Sequence, residues 1–228
     1  MFDAARLDDP IWSALTSDHS PFAEGTPLAK RYPPDIAPFA GVATRAAAAA
    51  AALRDLAPSD GNIVLFSAEP LPAPEGLAME RLVSMQQMVA TAVADAPDGH
   101  VNIAELTAAD AVEMRALATL TRPGPFGPRG HVLGRWLGVR AGGALVAMAG
   151  ERLRFTGHVE VSGVCVHPDH RGAGYARALV AAVVRRAVAD GLVPFLHVTS
   201  DNHSAIALYR RLHFEARREM YAEVLRLA

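Results

Sequence analysis

The chain has 228 residues, 51% hydrophobic and 20% charged, with 22 basic and 24 acidic side chains for a net charge of −2. That length holds one large domain or two small ones with a packed core, and the composition excludes a disordered chain. The near-neutral total gives no whole-chain reason to expect nucleic acid or a membrane surface as partner, and apolar runs such as 46–53 and 178–184 fall far short of the roughly 20 residues of a membrane span.

Residues 1–40 are proline-rich and weakly periodic, with Pro33, Pro34 and Pro38 arguing for irregular chain. A helix is expected over 41–57, centred on the alanine run 46–52 and closed by Pro58, then a short buried strand over 62–67. Pro70, Pro72 and Pro74 break the pattern. Leu77, Leu82, Met85, Val89 and Val93 then lie near helical spacing, so 76–94 reads as a helix. Ala96-Pro97-Asp98-Gly99 is a boundary signal. Beyond it, 101–106 alternates like a strand, and Thr107 caps a helix running to about 119. Residues 122–130 form a loop on composition. Strands over 136–141 and 144–155 join at Gly142-Gly143, and another covers 158–166. A helix over 174–190 stops at Gly191. A strand over 193–199, a helix over 204–212 and a strand over 215–225 complete a β-α-β-β-β-α-β-α-β order, an α/β or α+β domain.

The charge is uneven. Residues 1–100 carry 6 basic and 13 acidic side chains, residues 101–228 carry 16 and 11, and 11 of the 16 prolines lie in the first part. Two units are expected, 1–98 and 99–228, the second electropositive enough to suit a polyanionic small ligand; drift in surface composition is the alternative account. The single cysteine, Cys165, rules out an internal disulfide and a multi-cysteine zinc site. Met1–Arg6 lacks a basic stretch leading into an apolar core, so no secretory signal is expected and a cytoplasmic location is.

The chemistry concentrates in Val164-Cys165-Val166-His167-Pro168-Asp169-His170-Arg171-Gly172-Ala173-Gly174-Tyr175-Ala176. An apolar strand runs into a tight polar turn, a small-residue loop and a helix N-terminus. Backbone N–H groups without intrahelical partners, together with the helix dipole, make an anion site there, suited to phosphate. Gly172 and Gly174 admit a ligand to the backbone, Ala173 and Ala176 keep the rim small, and Arg171 adds a positive charge. A Walker loop would need a lysine that is absent, since the only one is Lys30. A dinucleotide fingerprint would need glycine where Arg177 stands. His167 and His170 lack further ligands for a metal, and none is expected.

Arg171, Gly174 and Ala176 match Gln/Arg-x-x-Gly-x-Gly/Ala, and the segment resembles motif A of the GNAT superfamily, the CoA-dependent N-acetyltransferases. Asn202 to Phe214 (Asn-His-Ser-Ala-Ile-Ala-Leu-Tyr-Arg-Arg-Leu-His-Phe) is similar to its motif B, with His213 where glycine is usual. The resemblance covers about residues 100–228, is nearest to the FR47-like branch and does not reach 1–98. It implies the GNAT fold, a mixed central sheet with splayed central strands and flanking helices. It also implies acetyl-CoA as co-substrate and a small-molecule or peptide amine as acceptor. Residues 1–98 are left over as an α/β extension: a degenerate GNAT-like half, an acceptor-gating segment or a homodimer contact.

The resemblance assigns the CoA pyrophosphate to Arg171, Gly172, Ala173, Gly174, Tyr175 and Ala176, with Arg177 in the first helical turn. It assigns the pantetheine arm to the strand at Val164, Cys165 and Val166, whose N–H groups would polarise the thioester carbonyl. Asn202 is expected both to cap its helix and to contact the arm. Tyr209 is the implied general acid for the leaving thiolate; read without the resemblance it is a core aromatic. Glu160, 11 residues before Arg171, matches the offset of a general base in some family members; otherwise it is a solvated strand residue. Phe126, in the 121–131 loop, is an implied wall of the acceptor site. Cys165, between Val164 and Val166, has nothing adjacent to activate it and reads as buried and structural. Direct attack in a ternary complex is therefore expected, and a non-catalytic acyl-CoA sensor is the competing class.

Overall fold

The computed structural model describes residues 4–70, 72–94 and 101–228. The Ala96–Gly99 boundary signal lies outside them. The chain forms helix α1 (Pro10–Leu15), strands β1 (Glu24–Gly25), β2 (Ala29–Arg31) and β3 (Ala40–Val42), helix α2 (Ala47–Leu56), and strands β4 (Ile63–Ser67) and β5 (Leu77–Ala90). It continues through β6 (Ile103–Leu106), α3 (Ala111–Thr121), β7 (Trp136–Ala141), β8 (Ala144–Phe155) and β9 (His158–Val166). It ends with α4 (Tyr175–Ala189), β10 (Val193–Thr199), α5 (His203–Arg211) and β11 (Phe214–Leu227). Among the described residues β1–β3 make a small sheet, and the rest an eight-stranded sheet of order β4-β11-β5-β10-β9-β8-β7-β6. Only the β9–β10 pair of that sheet is parallel.

From residue 101 onward the element order matches the expected one. Thr107 accepts from the Ala109 N–H (3.3 Å) while Asp110 accepts from the Thr107 N–H (2.8 Å), a reciprocal cap on the turn leading into α3. His213 takes the left-handed conformation that glycine would, with φ 61°, and its carbonyl accepts from the Thr91 N–H (2.9 Å) and hydroxyl (3.0 Å).

Three expectations upstream need correction. Residues 76–94 are not helical: β5 is a 14-residue strand. Its Leu, Met, Gln and Glu content favours helix locally, but it pairs with β11 along its length and with β10 at Met85–Val89, and non-local pairing outweighs propensity. Residues 1–40 are not irregular throughout, since α1, β1 and β2 lie there. The helix expected over 41–57 begins only at Ala47, because the preceding chain enters β3.

The sheet is covered on both faces, and alternation assigns side chains to each. Leu196 and Val198 of β10 pack with Leu179, Val183, Ile206 and Leu212 of the α4–α5 side. Phe195, one residue off, packs with Ile11 and Leu15 of α1 and with Phe39 and Phe155 on the other. No helix among the described residues is long and apolar enough to cross a membrane.

The feature that creates the site is a gap at the centre of the sheet. β9 and β10 pair only at His158↔Val193, Val159↔Pro194 and Glu160↔Phe195. Beyond that β9 stays with β8 through Cys165↔Met148 and Val166↔Ala147, and β10 stays with β5. A bulge helps turn β9 away: Ser162 faces Gly150 and Cys165 faces Met148, so β9 carries one extra residue. Gly163 sits in that bulge at φ 62°, and a Cβ there would lie 2.4 Å from the Trp136 ring, so only glycine fits.

Candidate active site

β9 ends at His167, whose side chain accepts from the Asp169 N–H (3.3 Å) and tightens the turn. The chain passes Gly172 and Gly174 at φ 83° and 77° and enters α4. Gly174 offers no side-chain cap, and the first turn holds no acidic residue. The first intrahelical bond runs from the Ala178 N–H to Gly174 O (3.0 Å), which leaves the preceding N–H groups for an anion.

A groove of about 570 Å³ opens at this helix start. It is lined by Val164, Cys165 and Val166 of β9, by Arg171, Gly172 and Gly174, by Tyr175, Ala176 and Arg177 of α4, and by Asn202 and Tyr209. Of the expected CoA contacts only Ala173 lies off the lining, exposed at the loop tip. Arg211 also lines it. Among the described residues, Arg171, Arg177 and Arg211 have no ion-pair partner, and the lining contains no carboxylate. Phosphate groups fit such a rim.

The backbone of β9 faces the groove in the required sense. The His167 N–H donates to Val146 O (2.7 Å) on β8. Strand alternation then directs the N–H groups of Val164 and Val166 to the opposite edge, where β10 has diverged. Asn202 caps α5, its Oδ1 accepting from the Ala205 N–H (3.1 Å) and the Ser204 hydroxyl (3.1 Å), which leaves its amide nitrogen for a ligand. Burial pushes the Tyr209 phenol up to about 12, and no described residue hydrogen-bonds its hydroxyl. Burial pushes the Cys165 thiol up to about 11, with hydrogen bonds to Thr121 and the Met148 backbone offsetting only part, so it is a poor nucleophile.

A second cavity, of about 400 Å³, lies on the other side of the gap and shares Val164, Asn202, Ala205 and Tyr209 with the groove. Its floor is one face of three strands: Val64 and Phe66 of β4, Ala222 and Val224 of β11, and Arg81, Val83 and Met85 of β5. Phe39, Arg152, the Arg122–Pro125 loop and the facing edges of β9 (Val161–Val164) and β10 (His197–Thr199) complete it. Sequence reasoning missed the β5 residues, because an i, i+2, i+4 row is invisible once the segment is read as a helix. Phe126 does not line this cavity: its ring meets Trp136 edge-on at 5.1 Å, and its neighbours Pro123, Gly124 and Pro125 form the wall.

Glu160 also lies off both linings. It is not a solvated strand residue, being 1% exposed. Arg152 grips it through Nε (2.8 Å) and Nη2 (2.7 Å), and His197 Nδ1 lies 2.7 Å from its Oε1. Burial pushes its carboxyl up, but the Arg152 charge and the hydrogen bonds of His197 and Arg152 outweigh that and hold it at about 2. The other ring nitrogen of His197 is met by Gln87 Nε2 at 3.1 Å, in the core.

The same architecture is found elsewhere. A model of the acetyltransferase (GNAT) family matches residues 102–214. A crystal structure of a GNAT-family acetyltransferase from Novosphingobium aromaticivorans is 38% identical, with TM-score 0.90 over 97% of this chain and 98% of that one. The chain belongs to the GNAT acetyltransferase family. The N-alpha-acetyltransferase RimI of Mycobacterium tuberculosis is 39% identical over 83 residues, 35% of this chain and 51% of its own. A mycothiol acetyltransferase of Kocuria rhizophila is 44% identical over 57 residues, 25% of this chain and 19% of its own. The chain thus spans about half the length of the first of these curated relatives and about a fifth of the second.

Proposed function

We propose that the protein transfers the acetyl group of acetyl-CoA to an amine by direct attack in a ternary complex. The observation carrying this reading is that a cation-rimmed groove at an uncapped helix start meets a second cavity at Tyr209 and Asn202. Acetyl-CoA, when bound, supplies the activated thioester. The uncapped turn of α4 receives the pyrophosphate, with Arg171 and Arg177 beside it. The N–H groups of Val164 and Val166 polarise the carbonyl. As the amine nitrogen bonds to the acetyl carbon, the carbon–sulfur bond breaks and Tyr209 donates its proton to the departing sulfur.

The acceptor's own proton leaves to cavity water, which returns one to the Tyr209 phenolate, so the phenol is restored and the thiol and amide are the net products. Glu160 is unsuited to take it, being committed to Arg152 and His197 and too weak a base at about 2. We assign it to positioning Arg152 and His197, both of which line the acceptor cavity. Residues 1–98 serve, in this reading, as the acceptor-side unit, because Phe39, β4 and β5 supply part of that cavity's wall.

The test is thiol release from acetyl-CoA over an amine panel, paired with calorimetry of acetyl-CoA binding. Turnover with at least one acceptor is expected. Tight binding with no turnover on any amine refutes transfer in favour of a sensor, and absence of binding refutes both.

A further inference from the structure

The acceptor cavity has a chemical signature of its own. Three arginines line it, Arg81, Arg122 and Arg152, and no acidic side chain does. Arg152 is answered by Glu160 behind the wall (2.7 Å), but Arg81 and Arg122 have no ion-pair partner among the described residues. The remaining lining is largely apolar, led by Phe39, Phe66, Val83, Met85 and Val224.

Arg122 carries a second, independent mark. It follows α3 at φ 52°, its N–H bonded to Ala118 O (2.8 Å), and runs into Pro123. A helix end of this kind normally takes glycine, and a side-chain-bearing residue adopts the conformation at a cost. Strained positions of this sort gather where the side chain is used. The left-handed turn places Arg122, whose side chain is exposed, at the start of the Arg122–Pro125 wall of the cavity.

We propose that the acceptor is a small amine bearing a carboxylate and an apolar body, as in an apolar α-amino acid, with the carboxylate held by Arg81 and Arg122. This rests on the acetyl-transfer reading and narrows it. A diamine or amino sugar brings further positive charge to a cavity that has no anion to meet it. A plain alkylamine makes no use of the two guanidiniums, which are exposed and free to receive an anion. The amino-terminal residue of a protein fills the apolar floor but lacks the carboxylate next to its amine. A volume of about 400 Å³ suits a free small molecule.

The experiment compares thiol release with L-phenylalanine, L-phenylalaninamide, 2-phenylethylamine and putrescine, in the wild type and in Arg81→Gln/Arg122→Gly. The glycine relieves the backbone strain, so the variant should fold, and its melting temperature checks this. The expected result is a kcat/KM for phenylalanine at least tenfold above that for its amide, with the ratio falling to near one in the double variant. An amide or putrescine used as well as the acid, or a ratio unchanged in the variant, overturns the inference while leaving acetyl transfer intact. Calorimetry of N-acetyl-L-phenylalanine against its amide, with CoA present, reads the same preference without turnover. Arginine-dependent binding of the acid with no thiol release from any amine would retain this inference and refute transfer.

Discussion

Replacing Glu160 by glutamine separates a catalytic base from a structural anchor. The substitution keeps the shape and removes the charge, leaving the Arg152 guanidinium, 11% exposed, without its counterion. A carboxyl held at about 2 against an ordinary 4.5 corresponds to about 3 kcal/mol of folding free energy. Breaking one side of a buried pair typically costs ~3–5 kcal/mol, which agrees. For a chain of this size that lowers the melting temperature by roughly 6–12 °C. Because the folded value is depressed, the contribution is complete above about pH 4.5 and fades as pH falls towards 2. The stability gap between wild type and variant should therefore narrow on acidification. The assay is thermal unfolding across pH, with kcat measured at a temperature where both proteins are folded. Glu160→Gln/Arg152→Met should regain most of the lost stability, since it removes the orphaned charge. An unchanged melting temperature with kcat reduced ~10²-fold or more would refute the argument and return Glu160 to the role of base.

Three further outcomes are expected. Tyr209→Phe should lower kcat by roughly 10²–10⁴-fold while acetyl-CoA affinity by calorimetry stays within about twofold, as befits a proton donor for the leaving sulfur. Ala176→Glu should leave the melting temperature unchanged or raise it slightly, because an acid in the first turn suits the dipole by ~0.3–1 kcal/mol, yet weaken acetyl-CoA at least ~10-fold in the same preparation. His213→Gly should stabilise by ~0.5–1 kcal/mol in urea unfolding, the relief of left-handed strain exceeding the entropy glycine adds to the unfolded chain.

The uncapped start of α4 was legible because its determinants are local: glycines, a turn and a first turn without an acid lie within 13 residues of one another. The splayed strands followed from a resemblance, and the structure adds their cause, a bulge at Gly163 packed on Trp136. What stayed hidden depends on distant pairing. Nothing in Leu77–Ala90 announces that Gln87 will be buried and held by Leu7 O (2.7 Å), or that β10 and β11 will flank it. The role of Glu160 was hidden similarly, since spacing to Arg171 places it on β9 but does not reveal that Arg152 and His197 converge on its carboxylate.

The sheet order bears on how the protein is made. β5 lies between β10 and β11, and β4 borders β11 alone. β5 leaves the ribosome roughly 140 residues, and β4 roughly 160, ahead of the completed β11, at least about 7–28 s at bacterial speeds of ~5–20 residues per second. Through that interval their β11-facing edges have no partner, and such edges invite mispairing with other chains. Ribosome-stalled chains ending before Phe214 should be open to protease across residues 63–90, and resistance there would contradict this order of events. The second cavity, floored by one late and two early strands, comes into being only when translation has passed β11, so a truncated product is a nascent-chain liability before it is a protein without that cavity.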